Sequence, residues 1–516
     1  MKYIKLKNLT LLFAAGVLAG CSDVWDSHYD PDGLQTASMK TLWEELEARP
    51  ELADFCSVLR TTGCDRLLDG DQMFTVFAPQ GTLDYGTMDA ESLTNEVVYN
   101  HVARFAVSAS SQLEEPKSLL MLNGKKSDFA AAGGAYTFAG KPITQTNIVA
   151  RNGVLHVLSS AAPFFCNVWE YMDKDTTFSC IRDYLYAFNE TVLDEEASVA
   201  GAIVDGQITY VDSVTVNTNE MFYRIGRIHD EDSTYWMVLP TNTAWRKAYA
   251  KVSSYYNYST KNPQRDSLQQ QGTQLAIVSD LVFSRTVQRS PEDSLVSTQK
   301  HVFHNPLHTL LPDYGSFDEG TECSNGRVFV VDTLCYLPWE SWHSTIRVEA
   351  ENTRGREYAT CELYKRNLNV SSPYYSHTSG ACYIEAAPSS ASANPSLTFS
   401  VPDVLSAKYD IKVVFMPQSL GLDKSNVDLP NKLICTITSV NDQGKTVSTK
   451  SDYIYTDPAV IDTVTVFSGF AFPVCNYGED NVTTKIRLQS QVLSKERQSY
   501  SRTLLVDDII LEPTKE

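Results

Sequence analysis

Hydrophobic residues in the last third of the chain recur in twos. Tyr409, Ile411, Val413 and Phe415 alternate with Asp410, Lys412 and Val414, and similar two-residue periods run through Val460–Phe467, Lys485–Val492 and Leu504–Leu511. Successive side chains of a strand point to opposite faces, so this pattern belongs to half-buried antiparallel strands, and a helix repeating about every 3.6 residues does not satisfy it. The texture begins after Pro338-Trp339-Glu340-Ser341-Trp342-His343. Short strands at such spacing predict an antiparallel β-sandwich over 344–516, whereas the chain before it mixes helical and strand periods.

Composition narrows the partners. The 516 residues, at about 150 per domain, suit about three domains, and 43% hydrophobic residues are enough to fill their cores. Acidic residues outnumber basic ones 63 to 43, a net charge of −20, with no local basic stripe. Such a field repels a phosphate backbone, which excludes DNA and RNA as general partners.

Lys2, Lys5 and Lys7 precede an apolar run from Leu9 to Ala19, too short to span a bilayer and ending in small residues. Residues 1–20 therefore read as a signal peptide. Leu18-Ala19-Gly20-Cys21 resembles the bacterial lipobox, which implies acylation of Cys21 and an outer-membrane lipid anchor. The acidic, turn-rich linker 21–37 resembles the export tag of Bacteroidota-type surface lipoproteins. That implies cell-surface exposure, the alternative being a tether facing the periplasm.

Between residues 38 and 168, Met39, Leu42, Trp43 and Leu46 fall at helical spacing, Pro50 opens a second helix closed near Gly63, and Met73–Pro79 forms the first strand. The stretch from Met73 to Asp84 resembles the first signature of fasciclin domains, a strand followed by a Pro-initiated turn into a helix. Tyr99–Phe105 resembles the family's Tyr/His segment, and Ile143–Leu158 its second signature, with Asn152-Gly153 as the turn between two strands. His101 and His156 read as satisfied core or turn histidines, since no nucleophile elbow accompanies them. A weaker copy spans 169–340: an opening helix from Asp183 through the segment around Leu193, a first signature at Tyr235–Trp245, a central segment at Leu275–Ser284 without its His, and a second signature at Asn325–Asp332.

The opening Ile346–Glu351 and closing Leu505–Pro513 of the last domain resemble the first and last strands of galactose-binding-like jelly rolls, a fold of many carbohydrate-binding modules. That resemblance implies a structural calcium on Glu349, Glu351, Asp507 and Asp508, with solvated carboxylates at a sheet edge as the alternative. It also places ligand-binding aromatics in the loop of Tyr374 and Tyr375. Tyr255, Tyr256 and Tyr258, in an insertion of the second copy, are candidate sugar-stacking rings, or side chains packed onto their own domain.

The expected fold is thus multidomain, two α+β fasciclin-like domains followed by an antiparallel β-sandwich. Ten cysteines besides Cys21 fall into neighbouring twos, leaving local disulfides and buried free thiols both open; no CxxC or HExxH is present. His301, His304 and His308 invite a metal, but Pro306 interrupts the run and favours a surface loop. The expected function is non-enzymatic: a surface lipoprotein binding a polysaccharide or a glycoprotein glycan, as an accessory of an outer-membrane polysaccharide-uptake complex. Adhesion or scaffolding through the fasciclin domains is the alternative, and a hydrolase would need a carboxylate pair invisible in sequence.

Overall fold

The computed structural model describes residues 39–515, apart from 87, 111–114, 133–134, 205–206 and 425–426. The signal peptide, Cys21 and the acidic linker lie outside the described residues. The chain divides into two compact units, Met1–Cys166 and Asn167–Glu516. No helix among the described residues is long and apolar enough to cross a membrane.

In the first unit, Thr41 starts α1 (Leu42–Glu47) through a reciprocal capping box with Glu44, and Met39 stays outside the helix, exposed. A single turn at Pro50–Leu52 leads into α2 (Ala53–Thr62), which ends where Gly63 turns left-handed at φ 71°. After α3 (Asp65–Asp69) comes β1 (Phe74–Pro79), buried throughout. The expected helix does not follow Pro79 directly; the next helical turn is Ala90–Ser92, capped by Asp89.

The remaining strands are β2 (Val102–Arg104), β3 (Lys117–Leu120), β4 (Lys126–Ala132), β5 (Ala135–Phe138), β6 (Lys141–Ala150) and β7 (Gly153–Leu158). They form one sheet in the order β2-β1-β7-β6-β5-β4-β3, with β1 and β7 parallel and Phe74 opposite Gly153. Leu42, Leu46, Phe55 and Leu59 bury one face against Phe74, Val76 and Leu155.

At the β6–β7 turn only Gly153 has positive φ, at 150°; a Cβ there would lie 1.9 Å from the Phe74 carbonyl oxygen. Asn152 acts through its side chain instead. Its Oδ1 accepts from Leu42 N at 2.7 Å, and its Nδ2 donates to the carbonyls of Leu68 and Gly70 at 2.8 and 2.7 Å, fastening the opening helices to the sheet.

The second unit begins with α4 (Ser179–Tyr186), followed by two ribbons: β8 (Asn189–Leu193) pairs with β11 (Thr215–Asn219), and β9 (Val199–Val204) with β10 (Gln207–Asp212). The segment around Leu193 is therefore strand rather than helix. Next come β12 (Tyr235–Pro240), α5 (Asn242–Val252), α6 (Arg265–Ser279), β13 (Val282–Ser284), the hairpin β14–β15 (Ser294–Val296, Val302–His304), β16 (Thr321–Cys323) and β17 (Gly326–Val331). Their main sheet runs β13-β12-β17-β16, with β12 and β17 parallel and Tyr235 opposite Gly326.

The same unit continues into twelve strands: β18 (Ile346–Glu349), β19 (Arg356–Ala359), β20 (Cys361–Asn367), β21 (Cys382–Pro388), β22 (Ser396–Ser400), β23 (Lys408–Phe415), β24 (Lys432–Val440), β25 (Thr446–Lys450), β26 (Ile454–Tyr455), β27 (Asp462–Ala471), β28 (Lys485–Ser490) and β29 (Leu504–Pro513). They form two six-stranded antiparallel sheets, one along β20-β21-β29-β23-β27 with β18 on β29, the other along β19-β22-β28-β24-β25 with β26 on β24. Tyr409, Ile411 and Val413 from one sheet share a core with Leu433, Ile486 and Leu488 from the other, so this is a β-sandwich. β29 is buried on both faces from Leu504 to Leu511, so even its acidic pair, Asp507 and Asp508, is covered. All ten described cysteines are free thiols, seven of them buried.

Candidate functional site

The tyrosine insertion is an internal seam. Tyr256 and Tyr258 are 3% and 2% exposed. Tyr258 donates its hydroxyl to the Tyr477 carbonyl at 2.7 Å, Tyr256 meets the Tyr477 ring edge-on at 5.5 Å, and the Tyr255 carbonyl accepts from Ser406 N at 2.8 Å. Asn257 adds hydrogen bonds to Asp442 and Pro473. Gly272 of α6 makes room for Tyr256, since a Cβ there would come within 2.4 Å of the ring. The Tyr256 and Tyr258 rings, expected as sugar platforms, thus join residues 167–343 to the sandwich, while the Tyr255 ring meets Trp342 and His343. Burial forces the Tyr256 and Tyr258 phenols upward in pKa, so both stay neutral donors.

The four acidic candidates divide into three and one. β18 and β29 pair antiparallel with Glu349 opposite Asp508, as expected for first and last strands. Asp508 forms an ion pair with Arg347. The Ser379 hydroxyl donates to Glu349 at 2.6 Å, the Ser379 amide to Asp507 at 3.1 Å, and the Cys382 thiol to Glu351 at 2.8 Å. Glu349 Oε2, Glu351 Oε2 and Asp507 Oδ1 are buried without partners. Desolvation first, then the charges of Glu349 and Glu351, raises Asp507 to about 7. Stability is therefore lost as pH rises from the ordinary carboxylate range through about 7, where Asp507 must ionise against its neighbours. Among the described residues no three His, Cys, Asp or Glu side chains form a group able to hold a metal ion; Glu349, Glu351 and Asp507 are hydrogen-bonded instead to Ser379 and Cys382.

That loop carries the other two tyrosines. Ser379 ends a run of turns starting at Asn369, and the Thr378 hydroxyl closes back on the Tyr374 carbonyl at 2.8 Å. Tyr374 packs on the small core of Tyr383, Met416 and Leu505, while Tyr375 is 37% exposed and His377 is exposed beside it. The carboxylate group and the aromatic loop, read separately from sequence, are one hydrogen-bonded assembly.

The histidines hold structure. His101 Nδ1 donates to the Val97 carbonyl at 2.7 Å and its Nε2 accepts from Ala162 N at 2.9 Å. His156 Nε2 donates to the Val107 carbonyl at 3.0 Å. Burial lowers both to about 4, so they are neutral near pH 7. In the second unit, buried Asp280 accepts from the Ser297 and Ser341 hydroxyls, each at 2.6 Å, and from His301 Nδ1 at 2.9 Å, a bond that raises the His301 pKa. Both serines donate to the carboxylate rather than to the imidazole, so neither is activated as a nucleophile. His304 pairs with Glu340 at 2.9 Å, and His308 lies in a helical turn opened by Pro306.

One feature had no signal in sequence. A cavity of about 530 Å³ opens beside the seam, with Tyr184 and Phe188 at the end of α4, Glu220 and Arg224 beyond β11, Gln274 on α6 and Tyr477 from the sandwich. Its walls come from segments nearly three hundred residues apart, so no local periodicity could have marked it.

Residues 50–161 match the family model of the Fasciclin domain. No curated protein matches the chain. Among solved structures, the FAS1 domain pair of the insect cell adhesion molecule Fasciclin I is similar at 10% identity, covering 58% of this chain and 97% of that one, with a TM-score of 0.19. The CBM22-1 xylan-binding domain of Paenibacillus barcinonensis Xyn10C matches at 12% identity over 33% of this chain and 94% of its own, TM-score 0.21. A family 35 carbohydrate binding module from Clostridium thermocellum matches at 11% identity over 33% and 99%, TM-score 0.19.

Proposed function

We propose that this is a non-enzymatic, lipid-anchored surface protein of the Bacteroidota type that binds glycan as an accessory of polysaccharide uptake. In this reading Cys21 carries the outer-membrane anchor, residues 169–340 are a second, divergent fasciclin-like domain, and 344–516 are a galactose-binding-like jelly roll that meets the sugar. The observation that carries it is the exposed Tyr375, an aromatic platform on a loop held to β18 and β29 by Ser379. An aromatic face fixed before binding loses little entropy when a sugar ring stacks on it.

The test is a glycan array probed with the intact mature chain and with Tyr375→Ala. The isolated sandwich is a poor probe, because removing residues 167–343 would strip its seam. Tyr374 is left in place because it supports the Tyr383 core. Binding of one polysaccharide class, weakened about tenfold by Tyr375→Ala, supports the proposal. An undiminished signal in the variant removes the platform.

Adhesion or scaffolding is the second reading, favoured by the β8–β11 ribbons. Val192, Val199, Val211, Val214 and Val216 are all more than a third exposed there, and Val192 sits opposite Val216. Apolar surface of this kind suits a protein partner. An array blank for every glycan, together with capture of a partner lost when Val192 and Val216 are changed to Ser, would favour it.

A further inference from the structure

We propose that the seam cavity is a second carbohydrate site, taking the last one or two rings of a neutral saccharide; it rests on the same reading of the chain as a glycan binder. At about 530 Å³ the cavity falls in the range of small-ligand sites. Its aromatic wall is fixed in place. Tyr184 and Phe188 meet edge to face at 5.3 Å. Asn219, 1% exposed, ties the end of α4 to the segment bearing Glu220 and Arg224: its Nδ2 donates to the Leu185 carbonyl at 2.8 Å and its Oδ1 accepts from Met221 N at 2.8 Å. Tyr258, bonded to the Tyr477 carbonyl, locks the opposite side.

The polar groups select the ligand. Among the described residues, the side chains of Glu220, Arg224 and Gln274 line the cavity without a hydrogen bond or ion pair to other protein groups. A guanidinium donates, a carboxylate accepts and an amide does both, so together they match hydroxyls, each of which is donor and acceptor at once. Glu220 and Arg224 carry opposite charges, so this lining has no net charge to favour an anion or a cation. A wholly apolar ligand would return no hydrogen bond to Gln274, the half-buried one of the three. A neutral sugar presents hydroxyls at its rim and C–H faces to Tyr184, Phe188 and Tyr477.

The site differs from the Tyr375 platform in its elements, so the two readings fail separately. The experiment titrates the intact mature chain with maltose, cellobiose, xylobiose and mannobiose, reading saturation transfer from protein to sugar protons by NMR. The expected result is transfer to at least one disaccharide, weakened about tenfold by Arg224→Ala and abolished by Leu268→Trp, which fills the cavity from α6. Arg224 is exposed, so its variant tests the site without disturbing the core, and thermal denaturation checks that Leu268→Trp is folded. A silent panel, or transfer that survives both variants, overturns the seam site. A silent panel beside a Tyr375-dependent array signal leaves the platform standing; a seam signal beside a blank array supports the seam and removes the platform.

Discussion

The sheet around β1 and β7 and the sheet around β12 and β17 solve one backbone problem identically and differ in what they bury. In each, a parallel strand pair is entered through Asn-Gly. The glycine passes a carbonyl so closely that a Cβ would lie 1.9 Å from Phe74 O in the first and 2.0 Å from Tyr235 O in the second. The asparagine staples the opening segment: Asn325 accepts from Val168 N at 2.9 Å and donates to the Ile228 carbonyl at 2.9 Å, as Asn152 does for Leu42 and Leu68. The registers align Gly153 with Gly326 and Val102 with Val282. On that alignment His156 corresponds to Phe329 and His101 to Leu281. The first sheet buries two titratable rings where the second buries hydrocarbon, and the second places its buried polar group, Asp280, beside Leu281. Backbone clearance tolerates no alternative residue, whereas a buried polar position tolerates any side chain whose hydrogen bonds the neighbours can meet.

The sharpest way to break this comparison is at the glycines. Gly153→Ala and Gly326→Ala should each cost more than about 4 kcal/mol and unfold their own sheet, because a carbonyl oxygen in a strand pair cannot move aside. Hydrogen-exchange mass spectrometry on the intact chain would localise each loss. Tolerance of one substitution and not the other would show that the two turns are not equivalent.

The next largest effect is acid sensitivity. A histidine lowered to about 4 by burial contributes stability that is fully present above its unfolded value near 6.5 and is lost as pH falls toward 4. Two such groups remove about 3 kcal/mol between pH 7.5 and 5.5. Exchange protection at Val97–Arg104 and β7 should therefore fall over that range, while Leu281–Ser284 and β17, with Leu281 and Phe329 at those places, should lose less. Equal acid loss in both sheets would refute this assignment.

The smallest effect sharpens the same point. His156→Phe, importing the residue of the second sheet, should remove about half of the acid loss, about 1.4 kcal/mol at pH 5.5. Near neutral pH it should cost about 1 kcal/mol, since the Val107 carbonyl loses its donor. A thermal denaturation series across pH reads both numbers.

Much of the first sheet was legible because its signals are local: Pro50 and Gly63 bracket a helix, and Asn152-Gly153 marks a turn. The role given to Asn152 was not, since its partners Leu42 and Leu68 lie more than eighty residues away. The candidate site was read in pieces. Glu349, Asp507 and the Tyr374–Tyr375 loop were each singled out, but their joining through Ser379 needed β18 to lie on β29. Leu193 was misassigned because a ribbon with little buried surface leaves no clean period to read.

By itself, the sequence determined the strand alternation of the sandwich, the paired Asn-Gly turns and the acidic balance of the chain. These are properties of neighbouring residues or of their sum. The tertiary structure decided that Tyr256 and Tyr258 face a seam instead of a sugar, that Asp507 and Asp508 lie within the sandwich, and that Tyr184 and Tyr477 share a cavity. The physical reason is burial: whether a ring or carboxylate meets water depends on which distant surface covers it, and no local pattern records that cover.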